Sequence, residues 1–407
     1  MNKEFKKRGE WERCTIEQEK SFTDMNKVLI LTTIGGFLPQ FEMNDVAVLQ
    51  KLGYEVHYAS NFNNPVYDVD RAKLLAMGIK LHQIEIQKSP LHIFRNIKAL
   101  RQIIGIMSAE QIGIYHFHNP MGGVLGRVAA LFYGKPGYII YTAHGFHFFQ
   151  GAAWMNWILF YPVERLLARN TNCLITINKE DYNRAGRFRL RYPQRVVRIP
   201  GVGIDLGRFR QTEGMREQIR RELGIEDGTF YILSVGEVNA NKNHEVILRA
   251  MAGLKDTRIH YGICGIGNRE SFLGKLAAEL GVDNQFTLFG YKNDIPRMLH
   301  CADCFAFPSK REGLGMAAIE AMAVGIPLIT SDCRGTREYM KDGITGYVCY
   351  AGDEQEYGEA IRKMMDSPEK RVEMSAACRK RAKKFNIKRT NAIMTEIYRE
   401  MYGITKP

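Results

Sequence analysis

The sequence predicts an α/β fold class, with two doubly wound domains each built on a parallel sheet. Three observations lead there. Short apolar runs alternate with helical segments of mixed polarity along most of the chain. The alternation breaks once, at RIPGVGIDLGRFR (residues 198–210), whose glycines and proline read as a linker, and it restarts at YILSVG. Finally, 407 residues are too many for a typical single core and suit two domains of ordinary size. Hydrophobic content of 45% and charged content of 25% are those of a globular chain. No apolar run approaches the roughly 20 residues of a spanning helix, so an integral membrane protein is not expected.

Residues 1–24 are charged, mixed in sign and poor in aliphatics, and are expected to form a disordered or helical extension; Met25 is a second candidate start. The first domain is expected over residues 25–200. Its strand at 28–32, the tight loop at Gly35 and Gly36, the helix at 44–52 and the strand at 54–60 make a βαβ unit. Further strands are expected at 80–84, 112–116, 138–142 and 173–177. Parallel strands with crossover helices imply a sheet covered on both faces. The second domain, residues 201–385, repeats the pattern with strands at 231–235, 259–264, 286–289, 304–307 and 327–330. A last helix is expected at 391–402, within a terminal segment 386–407.

The stretch FAFPSKREGLGMAAIEAMAVGIPLITS, residues 305–331, carries the most chemistry. A buried strand leads into a loop with glycines, then into a helix at 316–324 closed by Gly325 and Pro327. The first N–H groups of a helix lack intrahelical partners and carry partial positive charge, so the backbone of Gly313, Leu314, Gly315 and Met316 is a candidate diphosphate cradle. Glu320 lies about one turn inside, and helical side chains lean toward the N-terminus, so its carboxylate can reach a ribose diol there. Glu312 lies before the helix. For carboxylates taken at random, solvated surface positions would be the better reading. Small apolar neighbours around Glu320 make an unpartnered charge costly and weaken that reading.

These residues, in the setting PSxxEGxGxxxxEAMAxGxPxIxS, resemble the signature of retaining glycosyltransferases of family 4, which have the GT-B fold: two Rossmann-like domains facing across a cleft. The resemblance covers nearly all of residues 25–403. It implies that Glu312 lies at the donor sugar, that Glu320 holds the nucleotide ribose, and that the last helix crosses back onto the first domain. It also implies that no metal and no other cofactor are needed.

The loop VGEVNANKNH follows a strand and precedes a helix, so Lys242 and the backbone near Gly236 can face a pyrophosphate. The family usually places a basic residue directly after this glycine. Here Glu237 stands there, which leaves charge balance to Lys242 and to candidates such as Lys310 or Arg311. GICGIGN is a weak dinucleotide fingerprint and reads as close backbone packing. In FGYKND, Tyr291 resembles a residue near the nucleotide base. Gly35 and Gly36 resemble the family's glycine loop.

His144, in a TxHG context that the family places at the reaction centre, is the histidine expected to contact the donor sugar or developing charge. His118 and Asn119 are expected beside it. His116 and His147 are as readily explained as buried, satisfied side chains. Both histidine pairs invite a metal reading, but neither has the carboxylate setting of a zinc motif.

The eight cysteines are thinly spread without a signal peptide, which is read as a reducing cytoplasm. The lone CxxC of Cys301 and Cys304 is read as part of the approach to a buried strand. A formal net charge of +13 calls for an anionic partner, and no nucleic-acid-binding signature accompanies it. The cluster Arg187, Arg189, Arg191, Arg195 and Arg198 is read equally as a solvated loop and strand edge or as a functional patch. Residues 152–167, AAWMNWILFYPVERLL, hold two of three tryptophans. Core packing is the usual cause of such clusters, but Trp and Tyr beside basic residues also suit an anionic bilayer surface.

The expected activity is therefore retaining transfer of a sugar from a UDP-sugar to a hydroxyl of a lipid-linked saccharide in cell-surface polysaccharide synthesis. Glu312, His144 and Lys242 are the expected catalytic residues. The expected location is the cytoplasm, with peripheral contact at the inner face of the cell membrane. A sugar-nucleotide epimerase of the same fold, or a catalytically silent nucleotide-sugar or nucleic-acid binder, is the alternative.

Overall fold

The computed structural model describes residues 26–63, 69–135, 137–210 and 214–405, without the side chains of 402–405; the proposed extension at 1–24 and Met25 lie outside them. The chain divides into two compact units, residues 1–202 with 390–407 and residues 203–389.

The first unit holds a seven-stranded sheet in the order β3-β2-β1-β4-β5-β6-β7. Its strands are β1 (Lys27–Leu31), β2 (Glu55–Ser60), β3 (Lys80–Gln83), β4 (Ile114–His118), β5 (Tyr138–Ala143), β6 (Cys173–Thr176) and β7 (Arg195–Arg198). All pairings are parallel, so every strand delivers its C-terminal end to the same edge. That edge, at the strand-order reversal between β1 and β4, is where doubly wound sheets bind ligands. The central strands are buried on both faces, and β4 (IYHFH) is wholly buried despite two histidines. Register sets His116 opposite Ile140 and His118 opposite Thr142.

One correction and one addition concern this sheet. The fourth strand runs two residues later than 112–116, which puts His118 at the strand's end instead of in a loop. The strand β7 lies within the arginine-rich segment, and Arg195 there pairs with Glu396 and Glu400 of the last helix, Ile387–Thr405. This arginine is thus satisfied by the chain itself.

The helices Pro120–Tyr133 and Trp154–Ala168 are pinned by a fully buried Arg127. Its guanidinium donates to Glu164 at 2.8 Å and to the Gly123 carbonyl, and stacks on Tyr141 at 4.0 Å. Removing one partner of such a buried pair costs about 3–5 kcal/mol, because the other charge is left uncompensated.

The second unit holds a six-stranded parallel sheet in the order β10-β9-β8-β11-β12-β13. Its strands are β8 (Phe230–Val235), β9 (Ile259–Cys264), β10 (Phe286–Leu288), β11 (Cys304–Phe307), β12 (Leu328–Ser331) and β13 (Gly346–Cys349). The last of these is not among the sequence expectations. The helix Met316–Val324 joins β11 to β12 at the predicted bounds and ends at Gly325, whose φ of +94° suits glycine.

Candidate active site

In the second unit, the loops after β8 and β11 are zipped together. The Lys310 amide donates to the Asn241 carbonyl at 2.8 Å, and the Asn241 side chain donates to the Arg311 carbonyl at 3.0 Å. This brings Lys242 Nζ to 2.6 Å from Glu312 Oε1 and 4.9 Å from the centre of the Phe307 ring. Gly236 adjoins the same lysine: a Cβ there would lie 3.3 Å from Lys242 Cε. Glu237 points to solvent.

Glycines shape the approach to the helix. Gly315 caps Met316–Val324 with φ +90°, and a Cβ on it would lie 2.6 Å from the Phe307 ring and 3.0 Å from the Tyr339 hydroxyl. No side chain caps this helix start; the Ala318 amide donates to the Gly315 carbonyl at 3.2 Å, and the Met316 and Ala317 amides precede it. Gly335 backs the loop, since a Cβ there would meet the Leu314 backbone at 2.9 Å. Leu314 is buried, and Gly313 completes the turn. Glu320 is half-buried, and burial raises its carboxyl to about 7, against a smaller lowering by Arg208. Tyr291 follows β10 and is half exposed. Two glycines of GICGIGN pack on backbone, where a Cβ on Gly265 would lie 1.8 Å from the Gly236 carbonyl oxygen and one on Gly267 2.2 Å from that of Val238, while Gly262 packs on the Tyr231 and Phe289 side chains.

In the first unit, a second group converges at the ends of β1, β4 and β5. Gly35 is pressed against Phe62, where a Cβ would lie 2.8 Å from the ring, and its carbonyl accepts from Tyr58 at 2.9 Å. Gly36 is buried beside it. Asn119 follows β4 with φ +64°, and its side-chain oxygen accepts from the Thr33 amide at 3.4 Å. His118 is buried, and its Nδ1 lies 3.2 Å from Nε2 of the partly exposed His144. His116 has both ring nitrogens satisfied, by Tyr398 at 2.9 Å and Thr142 at 2.8 Å. His147 packs on Phe160.

Three residues of this group are absent from the sequence reading. Glu42 ends a π-helical turn, Leu38–Glu42, that precedes the helix Met43–Lys51; such turns often occur at functional sites. Its Oε1 lies 3.5 Å from His118 Nδ1 and 3.6 Å from His144 Nε2. Asp45 accepts from the Tyr398 hydroxyl at 2.9 Å, and burial raises its carboxyl to about 7. Burial also pushes Glu42 up and His118 down, and lowers His144 to about 4. A carboxylate at the end of the mostly apolar run GGFLPQFE is the signal that could have exposed Glu42.

The predicted site residues thus fall into two groups, Gly35, Gly36, His118, Asn119 and His144 in one unit and Gly236, Lys242, Tyr291, Glu312, Gly313, Leu314, Gly315, Met316 and Glu320 in the other. Cys301 and Cys304 are buried thiols, Cys301 donating to the Met298 carbonyl, and neither joins a metal-binding group among the described residues.

Residues 27–178 match the glycosyl transferase 4-like family, and residues 215–384 match the glycosyl transferases group 1 family. EpsD of Bacillus subtilis (strain 168), named as a glycosyltransferase, is 34% identical over 376 residues, 91% of this chain and 96% of its own. The UDP-Gal:alpha-D-GlcNAc-diphosphoundecaprenol alpha-1,3-galactosyltransferase of Escherichia coli is 25% identical over 76% of this chain and 81% of its own. Among solved structures, HepE of Anabaena in complex with UDP-glucose superposes with a TM-score of 0.75 at 17% identity, over 92% of this chain and 99% of its own. The chain belongs to these glycosyltransferases and has the GT-B fold.

Proposed function

We propose that this glycosyltransferase moves a sugar, with retained anomeric configuration, from a UDP-sugar to a hydroxyl of a lipid-linked saccharide in cell-surface polysaccharide synthesis. The observation that carries the reading is the Lys242 and Glu312 pair beside the uncapped start of Met316–Val324. A departing nucleoside diphosphate needs cationic and N–H partners, and the ammonium and first-turn amides supply them. Glu312 holds Lys242 in place and presents its carboxylate to the sugar ring; Glu320 takes the ribose diol. His144, with its partly exposed ring, contacts the donor sugar, with His118 and Asn119 behind it. The attacking hydroxyl adds from the leaving-group side, and its proton passes to the phosphate oxygen. None of these steps requires a metal.

The lipid-linked acceptor is supported by the Escherichia coli relative, whose name specifies a diphosphoundecaprenol-linked acceptor. It is supported further by the helix Trp154–Ala168, which leaves Trp154 and Ile158 more than half exposed, with Arg165 and Arg169 near its end. An apolar stripe with basic flanks suits the surface of an anionic bilayer. No helix among the described residues is long and apolar enough to cross a membrane.

The test is a screen of UDP-sugars for thermal stabilisation, followed by transfer to a membrane lipid extract with the product's anomeric configuration read by NMR. One UDP-sugar should raise the melting temperature and its sugar should appear in the lipid fraction in the α configuration. Conversion of the sugar nucleotide without acceptor would instead identify an epimerase, and the absence of any stabilisation would overturn the donor assignment.

A further inference from the structure

Leu91 and Phe94 are 85% and 89% exposed, more than Trp154 or Ile158, and the fold holds them so. Leu91 sits in the turn before the helix Ile93–Ala109, and Phe94 in its first turn. The buried Asn96 pins that turn: its side-chain oxygen accepts from the Gln87 amide at 2.9 Å, and its NH2 group donates to the Ser89 carbonyl at 3.0 Å. The Leu91 amide donates to Ser89 Oγ at 3.3 Å. The helix buries Ala99, Ile103 and Met107 against the core, which turns Phe94, Ile97, Lys98 and Arg101 outward. Apolar side chains on a hydrogen-bonded turn have little order to lose on docking.

The surroundings are basic. Lys88, Arg95, Lys98 and Arg101 are exposed beside the pair, and Glu85, which pairs with Lys98, is the one acid in residues 85–101. Apolar tips among cations suit an anionic bilayer, where the tips enter the interface and the basic groups meet headgroups. A second copy of the chain suits them less, because a two-fold contact sets the same cations against one another.

Strand order fixes where this element lies. The helices Ile93–Ala109, Pro120–Tyr133 and Trp154–Ala168 follow β3, β4 and β5, and right-handed crossovers put them on one face of the sheet, the middle one packed against both others. Each begins at the edge where the strands end. Leu91 and Phe94 therefore share an edge with Trp154 and Ile158, two interhelix spacings or about 20 Å away. His118, Asn119 and His144 come from the ends of β4 and β5 at that edge. We propose that Leu91 and Phe94 enter an anionic bilayer and, with the Trp154 face, make a two-point contact that turns the ligand edge of the first unit toward the lipid. This rests on the lipid-linked acceptor of the proposed function, and it brings that acceptor to His118 and His144 without extraction from the bilayer.

The experiment uses the full chain and vesicles of phosphatidylglycerol with phosphatidylcholine, without substrate. Leu91→Glu with Phe94→Glu should weaken binding roughly 10-fold or more, since two inserted apolar side chains become acids, while the melting temperature stays near that of wild type. Arg95→Gln with Arg101→Gln should weaken binding at low salt and reduce its salt dependence. Phe94→Trp should keep binding, and brominated lipid should quench the added fluorescence. Wild-type binding by Leu91→Glu with Phe94→Glu would overturn the proposal, as would an unquenched tryptophan at position 94. Weakening confined to Trp154→Glu with Ile158→Glu would overturn this element alone, and no binding by the wild type at low salt would overturn the membrane reading of the proposed function with it. Dissociation of a dimer by Leu91→Glu with Phe94→Glu, with vesicle binding kept, would assign the patch to a second copy instead.

Discussion

Lys242 and Glu312 hold each other at 2.6 Å, and both are mostly buried, so each keeps the other in place. A lysine so held is preorganised for a diphosphate, because no side-chain ordering remains to be done when the ligand arrives. Lys242→Ala and Glu312→Gln should each lower turnover by roughly 10²–10³-fold, with circular dichroism and melting temperature little changed; near-normal turnover in both variants would remove them from the chemistry. Glu320 gives a second prediction, in pH. Its carboxyl is raised from the ordinary 4.5 to about 7 by burial, so the neutral form is favoured in the fold. The stability this contributes is complete below pH 4.5 and is lost as pH rises through 7. A ribose diol donates to the charged form, so UDP affinity should rise across the same interval. Glu320→Gln should flatten both profiles relative to wild type. Asp45, also raised to about 7, adds stability of the same sign, so the difference between wild type and variant is the informative quantity.

At the scale of elements, the helix Met316–Val324 presents its first-turn amides only because Gly315 turns the chain with φ +90° beneath Phe307 and Tyr339. Gly315→Ala adds left-handed strain and a methyl 2.6 Å from a buried ring, so it should cost about 3 kcal/mol of stability. Denaturant unfolding measures this loss, and UDP affinity should fall with it. The helix Trp154–Ala168 should behave oppositely. Trp154 and Ile158 are 71% and 61% exposed, so Trp154→Glu with Ile158→Glu should leave stability nearly unchanged while weakening binding to anionic vesicles. Retained vesicle binding by that variant would remove this face from the membrane proposal.

The same elements show what could be read beforehand. Strands such as β9 and β11 match their sequence bounds because short, mostly apolar runs that stop at a glycine or proline have few other interpretations. RVVR of β7 was hidden by its charged ends, of which Arg195 is held by the last helix. The ends of β4 were misjudged because FH does not look like strand interior until the fold buries both residues. The motif around Glu312 was legible because the strand, loop and helix that carry it are contiguous in sequence, although its partner Lys242 comes from the loop after β8. Glu42, Asp45 and Tyr398 were not, because each acquires its role from residues far away in sequence, and no local spacing records that convergence.

For the whole molecule, the chain leaves its first unit near residue 202 and returns to it at residue 390. The returning helix, Ile387–Thr405, is structural for the first unit. The Tyr398 hydroxyl bridges Asp45 and His116, and Arg195 is held by Glu396 and Glu400. Each unit also has its own core, one around Phe117 and Tyr141 and the other around Ile232 and Tyr261. Two cores of this kind are expected to melt as separate cooperative transitions. Tyr398→Phe leaves the buried Asp45 and His116 groups short of a partner, so it should lower the transition of the first unit by about 2 kcal/mol. UDP, which the proposed function assigns to the second unit, should raise the other transition, by about 2.7 kcal/mol at a hundredfold excess over its Kd. Because the two perturbations act on different cores, their effects should add when Tyr398→Phe is melted with UDP. Calorimetry of wild type and variant, each with and without UDP, resolves the question. A single transition moved by both perturbations would show that the units unfold as one.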